Sequence, residues 1–412
     1  MRRALQHLTA CLILAALLAN VLASVAAQDP GTPVPAVQAL LPVDHFYDAP
    51  ATITAAPGTL LRSEPLTDRV LPADSRAWRI QYVTTMPDGS PAVAVATVLA
   101  PANPPDAPIP VIAWDHGTVG LLQRCLPSLT SIPFAAIPAV QQVVAEGWVV
   151  VAPDYQSDAQ GIHPFLIGEG EARSTLDAIR AAHAMPELNL APETVVWGHS
   201  QGGHAALWTN TIAPDYAPDL TIAGTVAIAP AADLLNLLQL HGGDATAALI
   251  GAYLVNAYRA YDPGVSYDAA VAGPAREIGR DLATRCLLDS QDAPVMASLI
   301  GDLGGESLLA TPTSTALADK LAANTPLGPF PAPVVIAQGL TDDVVLPAAT
   351  NAWVADRCAE GSTIEYWRLP GQDHRSIVAP GTPLAAPLIA WTQQRFAGEA
   401  PAATCTEVMI GG

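Results

Sequence analysis

Ser200 lies between Gly198 and Gly202 in the stretch GHSQGG, a spacing suited to a nucleophilic serine. The run before it, 193–197 (ETVVW), is short, apolar and valine-rich, which predicts a buried strand. The run after it, HAALWTNTIA, predicts a helix. A sharp strand-to-helix turn strains the serine backbone, and glycines two residues either side let the flanking elements approach closely. A hydroxyl is a poor nucleophile near neutral pH, so it needs a base, and the base needs an orienting acid. Two later strand-like runs deliver such groups just after a glycine turn. VVIAQGLTDDVV carries Asp342 and Asp343, and IEYWRLPGQDH carries His374. Asp342 is the expected orienting acid because it follows the glycine turn directly, whereas Asp343 leads back into the apolar VVLP. His199 and His204 are nearer to Ser200 in sequence, but they sit on its own turn and helix and are not expected to reach across to the hydroxyl.

A serine that attacks a carbonyl builds negative charge on a tetrahedral intermediate, and preorganised donors must meet it. One expected donor is the backbone N–H of Gln201, the residue after the nucleophile. The second should come from the loop after an earlier strand, in WDHGTVG; Thr118 is the expected residue and Gly117 the alternative. The plainer reading of HGT is a tight turn with no chemical role.

These residues need elements that bring them together. From Ala77 onward, AWRIQYVTTM, the turn PDGS and AVAVATVLAP read as a hairpin. Strands are expected at IPVIAWDHG, WVVVAPDYQ, the run into Ser200, LTIAGTVAIAP, APVVIAQG and STIEYWRLPG. Helices are expected between them, including a proline-interrupted one over 131–147. This alternation calls for an α/β fold, a mostly parallel sheet with helices on both faces, whose ligands gather at the carboxyl ends of the strands. The serine, aspartate, histidine order is the chain order of α/β-hydrolases. Over 231–328 no buried strand signal appears, only helical stretches such as ADLLNLLQL and ATAALIGAYLVNAYRAY. The expected organisation is therefore a core of 46–230 and 329–412, interrupted at 231–328 by a helical cap that carries an acyl-binding surface.

The chain has 412 residues and 38 acidic against 18 basic side chains, a formal charge of −20. That excludes nucleic acid as a partner and disfavours anionic lipid surfaces, but not neutral substrates. Residues 1–27 read as a secretory signal peptide, with Arg2 and Arg3 before an apolar stretch and Val25-Ala26-Ala27 at its end. The apolar stretch is too short for a membrane span, and the lipoprotein-like LTAC precedes it instead of following it, so a lipid anchor is the weaker reading. Residues 28–45 form a proline-rich leader. Removing the signal leaves Cys125, Cys286, Cys358 and Cys405, which in an exported chain read as two disulfides. The placement favours Cys358–Cys405, tying down the tail, and Cys125–Cys286, tying the oxyanion loop to the insertion. No metal-ligand spacing occurs, and the chemistry needs no cofactor.

FYDAP, PGTLLRSEPL, WDHGT with Cys125 soon after, VVWGHSQGGHAALW, GLTDD and GQDH, taken in this order, resemble secretory lipases of the lipase A type, over roughly 46–396. The resemblance implies an α/β-hydrolase core with a helical cap, carboxylic-ester hydrolysis often of acylglycerols, and a triad of Ser200, Asp342 and His374. Some members carry acidic residues in place of His116-Gly117, so the second oxyanion donor stays open. The expected function is a secreted serine esterase or lipase working on a small or lipid ester, with no membrane span, whose substrate can lie at a lipid–water interface. The alternatives are a serine peptidase or acyltransferase on the same triad, and a non-catalytic binding protein on a hydrolase scaffold.

Overall fold

A computed structural model describes residues 39–310, 315–401 and 404–411. The expected signal peptide and most of the expected leader lie outside the described residues. The strands are β1 (Leu60–Pro65), β2 (Ser75–Thr85), β3 (Pro91–Pro101), β4 (Ile109–Asp115), β5 (Val149–Gln156), β6 (Leu190–His199), β7 (Thr221–Ile228), β8 (Val334–Gly339), β9 (Ile364–Leu369) and β10 (Thr406–Met409). They form one ten-stranded sheet in the order β1-β2-β3-β5-β4-β6-β7-β8-β9-β10. The β1, β2, β3 and β5 neighbours pair antiparallel, and every pairing from β5 across to β10 is parallel. The β2–β3 hairpin closes at PDGS, where Asp88 Oδ1 accepts from the Ser90 N–H and hydroxyl and Gly89 takes a positive φ of 85°.

The helices are α1 (Val140–Ala145), α2 (Gly168–His183), α3 (Gln201–Tyr216), α4 (Leu234–His241), α5 (Ala245–Tyr261), α6 (Tyr267–Ala270), α7 (Arg276–Leu282), α8 (Asp292–Asp302), α9 (Thr315–Ala323), α10 (Pro347–Ala359) and α11 (Ala385–Phe396). Alternate residues of β6 show how both faces of the sheet are covered. Val195 and Trp197 pack with Val143 of α1 and with Leu388 and Trp391 of α11. Val196 turns the other way, against Ile179 of α2 and Ala206 of α3. This is the α/β-hydrolase arrangement of a mostly parallel sheet between helical layers.

Helices α4 to α9 all fall between β7 and β8, within the span expected to lack strands. Among the described residues this insertion has no strand, only an isolated bridge between Val271 and Leu309. It has its own core, where Tyr253, Leu254 and Tyr258 of α5 meet Leu282, Met296, Leu317 and Leu321. Phe165, Leu166, Val345 and Ala349 extend that core into the sheet half of the molecule.

Three local expectations need correction. Of the helix expected over 131–147, only α1 forms; Pro133 and Pro138 lack an N–H and bias the residues before them away from helix, and Ala139 enters α1 at φ 55°. The end of the expected leader is packed, not loose. The Leu41 N–H donates to Leu129 O at 2.8 Å, and Asp44 pairs with Arg79 at 2.9 Å. The tail also does more than hang from a disulfide, because β10 adds a parallel strand beside β9. The disulfides join Cys125 to Cys286 and Cys358 to Cys405, across separations of 161 and 47 residues.

Candidate active site

Ser200 ends the turn from β6 into α3 with φ 58° and ψ −118°, a conformation an L-residue holds only under constraint. The constraint is visible in the backbone. The Ser200 N–H donates to Ile228 O at 2.9 Å, and Ser200 O accepts from the N–H of His204 and of Ala231, each at 3.1 Å. The glycines are required by close approach. A Cβ on Gly198 would lie 2.0 Å from Gly202 O, and one on Gly202 would lie 1.8 Å from Asp115 O. Any side chain at either position would push β6, α3 and the end of β4 apart.

Asp342 and His374 leave the ends of β8 and β9 and meet: His374 Nδ1 lies 2.8 Å from Asp342 Oδ2. Asp342 is buried, whereas Asp343 is exposed. The Asp342 carboxylate is itself held, since Oδ1 accepts from the N–H of Val344 (2.9 Å) and Val345 (2.8 Å) and Oδ2 from Gln338 Nε2 (3.2 Å). The two loops are also joined directly, by Thr341 N–H to Gln372 O at 3.0 Å. His199, next to the serine, sets its ring 4.6 Å from that of His374, tilted by 40°, and places Nε2 2.8 Å from His374 O. Since a carbonyl only accepts, His199 carries its proton on Nε2. Burial, with the neighbouring His374 and Arg375, pushes the His199 pKa well below its ordinary value, so it stays neutral. In this conformation no hydrogen bond joins Ser200 to His374 among the described residues.

Ser200, Thr118 and Gln201 line one cavity with Phe165, Leu166 and Leu254, at the carboxyl edge of the sheet under α4 and α5. The N–H groups of Gly117 and Thr118 make no hydrogen bond among the described residues, which leaves both open as donors. Gly117 approaches the serine closely, as a Cβ there would stand 3.6 Å from Ser200 Cβ. The cavity measures about 40 Å³. A pocket that encloses a small ligand usually measures roughly 300–1,000 Å³, so the site is nearly filled by its own walls.

The secretory lipase family model matches residues 126–404. The chain belongs to the secretory lipase family. It is 30% identical to a probable inactive lipase of Mycobacterium tuberculosis, over 88% of this chain and 84% of that one. It is 26% identical to a secreted triacylglycerol lipase of Malassezia globosa, over 85% of this chain and 80% of the other. In structure it resembles Candida antarctica lipase A in its closed state, with a TM-score of 0.74, 22% identity and 91% of each chain covered. Family and fold place the chain among lipase and esterase hydrolases.

Beside the expected residues, the chain buries a polar cluster that the sequence did not single out. Glu171 of α2 is fully buried, and its Oε1 accepts from Gln201 Nε2 at 2.7 Å and from the Leu166 N–H at 2.9 Å. His163 lies 3.3 Å from Oε1, and His204 Nδ1 lies 3.4 Å from Oε2. Burial opposes the charge on Glu171, but its contacts with His163 and His204 outweigh burial and hold its carboxyl well below the usual range. Asp115, at the end of β4, behaves oppositely. Burial drives its pKa well up and the Glu171 charge adds to the effect, although the Thr175 hydroxyl donates to it at 2.6 Å. The two neighbouring carboxyls are thus pushed in opposite directions. His116 completes the region, with burial lowering its pKa to about 4. The signal for Glu171 was its helical spacing: Ser174, Thr175 and Ala178 follow it at three, four and seven residues and all are fully buried with it.

Proposed function

We propose that this protein is an exported serine carboxylic-ester hydrolase that acts on acylglycerols or similar neutral esters through an acyl-enzyme. The hydrogen bond between His374 Nδ1 and Asp342 carries the reading, because it leaves Nε2 as the free ring nitrogen on a histidine packed against the serine turn. Ser200 attacks the ester carbonyl while His374 Nε2 takes its proton and passes it to the leaving alcohol. Asp342 fixes the tautomer and stabilises the imidazolium, and water then releases the acid by the same route. The N–H groups of Gln201 and Thr118 meet the oxyanion, with Gly117 the alternative to Thr118.

In the same reading, 46–230 and 329–412 form the catalytic core and 231–328 is a cap over the acyl site. The small cavity supports a cap that must shift before an ester enters, and its leucine-rich lining favours acyl chains over peptides. Export is supported by the signal-like segment 1–27, the two disulfides, and a relative described as secreted. No helix among the described residues is long and apolar enough to cross a membrane.

Turnover of p-nitrophenyl esters from acetate to palmitate, by the native protein and by Ser200→Ala, tests the reading. The alanine variant should fold and lose essentially all turnover; a tenth of native activity remaining would refute the mechanism. A second reading, a non-catalytic binding protein, is favoured by the relative described as a probable inactive lipase. Native protein that folds and hydrolyses none of these esters would support it.

A further inference from the structure

The residue after the nucleophile is held by its side chain as well as by its helix, and that hold leads away from the reacting atoms. Gln201 is 2% exposed, and its amide nitrogen lies 2.7 Å from Glu171 Oε1 and 2.8 Å from His163 Nε2. The same Glu171 oxygen receives the N–H of Leu166, whose side chain with Phe165 forms a wall of the cavity over Ser200. The other oxygen faces His204, and His204 Nε2 lies 2.7 Å from Asn324 O. Asn324 stands near the end of the 231–328 insertion. Its side-chain oxygen also takes the Gly168 N–H at 2.9 Å, at the start of the helix that carries Glu171. One buried carboxylate therefore gathers the nucleophile turn, the cavity wall and the exit of the insertion.

We propose that Glu171 is a positioning residue: it fixes the Gln201 N–H as an oxyanion donor and ties that donor, through His204 and Asn324, to the base of the insertion. The inference rests on the serine-hydrolase reading above. Donors to an oxyanion act only if they are already aimed where the charge appears. Gln201 begins α3, where the first N–H groups of a helix lack intrahelical partners, and the direction of its N–H follows the set of its backbone. A side-chain amide clamped by an ionised carboxylate holds that backbone more firmly than a neutral contact would. A buried carboxylate that only stabilised the fold would show its loss in unfolding, with catalysis in the folded protein unchanged.

The test compares Glu171→Gln with the native protein on p-nitrophenyl butyrate and measures inhibition by a trifluoromethyl ketone, which forms a tetrahedral oxyanion on the serine. Glu171→Gln should lower kcat by roughly 10–100-fold, the scale of a misaimed or lost oxyanion donor. KM should stay within about threefold while the ketone weakens in step with kcat. Gln201→Met keeps the backbone N–H and the side-chain length but removes the amide, so it probes the link from the other end even if Glu171→Gln does not fold. It should show the same loss, and the double variant should be no slower than the slower single one. Native kcat and native ketone affinity in a folded Glu171→Gln or Gln201→Met would overturn the inference. Failure here is distinct from failure of the parent reading: if Ser200→Ala kills turnover while Glu171→Gln does not, only the positioning role falls.

Discussion

At the scale of single residues, the account turns on which of two adjacent carboxylates serves His374. Asp342 is buried, accepts two backbone N–H groups and lies 2.8 Å from the imidazole, whereas Asp343 is exposed. Asp342→Asn should leave the histidine in the wrong tautomer and cut kcat by up to about 10⁴-fold, while Asp343→Asn should stay within a few-fold of native. Measured kcat values in the reverse order would move the orienting role to Asp343. Ser200, Asp342 and His374 were legible because each follows a strand run and a glycine turn, a pattern that local sequence carries. Glu171 was not singled out, since its meaning depends on His163 arriving from a loop and Gln201 and His204 from α3. His199 was legible as a histidine but not as a support for the base, because its partner is a backbone carbonyl 175 residues away.

Among elements, α4 touches the loop carrying Asp342 through one side chain. His241 ends α4, with Nδ1 2.9 Å from Asp244 Oδ2 and Nε2 2.7 Å from Val344 O. Both partners only accept, so only the doubly protonated ring can satisfy both. Burial lowers the His241 pKa, but Asp244, the Val344 carbonyl and Asp342 outweigh it and the net shift is upward. A raised folded-state value means the contact contributes fully below the ordinary histidine pKa of about 6.5 and is lost as pH rises through the folded value. Amide exchange in α4 and at the start of α5 should therefore quicken above neutral pH, and His241→Gln should remove that dependence. Exchange that ignores pH in the native protein, once the intrinsic rate is corrected, would show that this contact does not hold the helix. Ile250 of α5 lines the cavity and is only partly buried, so Ile250→Trp can fill it without forcing a charge into the core. Palmitate hydrolysis should fall at least tenfold more than acetate hydrolysis; equal losses would remove the acyl-binding role of the cap. The extent of the insertion was legible as missing strand signals, because buried parallel strands read as apolar runs. The broken helix before α1 and the short exposed strand β10 were not, because prolines and an all-exposed strand erase the periodicity on which the reading relied.

Over the whole molecule, the two disulfides do different work. Cys125 lies just past the loop that follows β4, and its bond to Cys286 sits where the Leu287 N–H donates to Val119 O at 2.8 Å, linking that loop to the insertion. Cys358–Cys405 fastens the tail before β10 to the end of α10. Each cross-link is worth roughly 2–4 kcal/mol by restricting the unfolded chain. Replacing either pair by serine should lower Tm, but only Cys125→Ser with Cys286→Ser should also depress kcat in the folded protein. Equal kcat in both pairs would uncouple the first bond from the site. The pairing could be anticipated because each cysteine flanks a different element, while the merging of the insertion core with Phe165 and Val345 needed the folded chain. The central claim is a single activated serine, and the most direct measurement is intact mass with peptide mapping after exposure to a fluorophosphonate. The account predicts one phosphonyl group per chain, on Ser200, appearing in step with loss of ester turnover and absent from His374→Ala. Turnover that survives complete labelling of Ser200, or ester hydrolysis by a chain that never labels there, would contradict it.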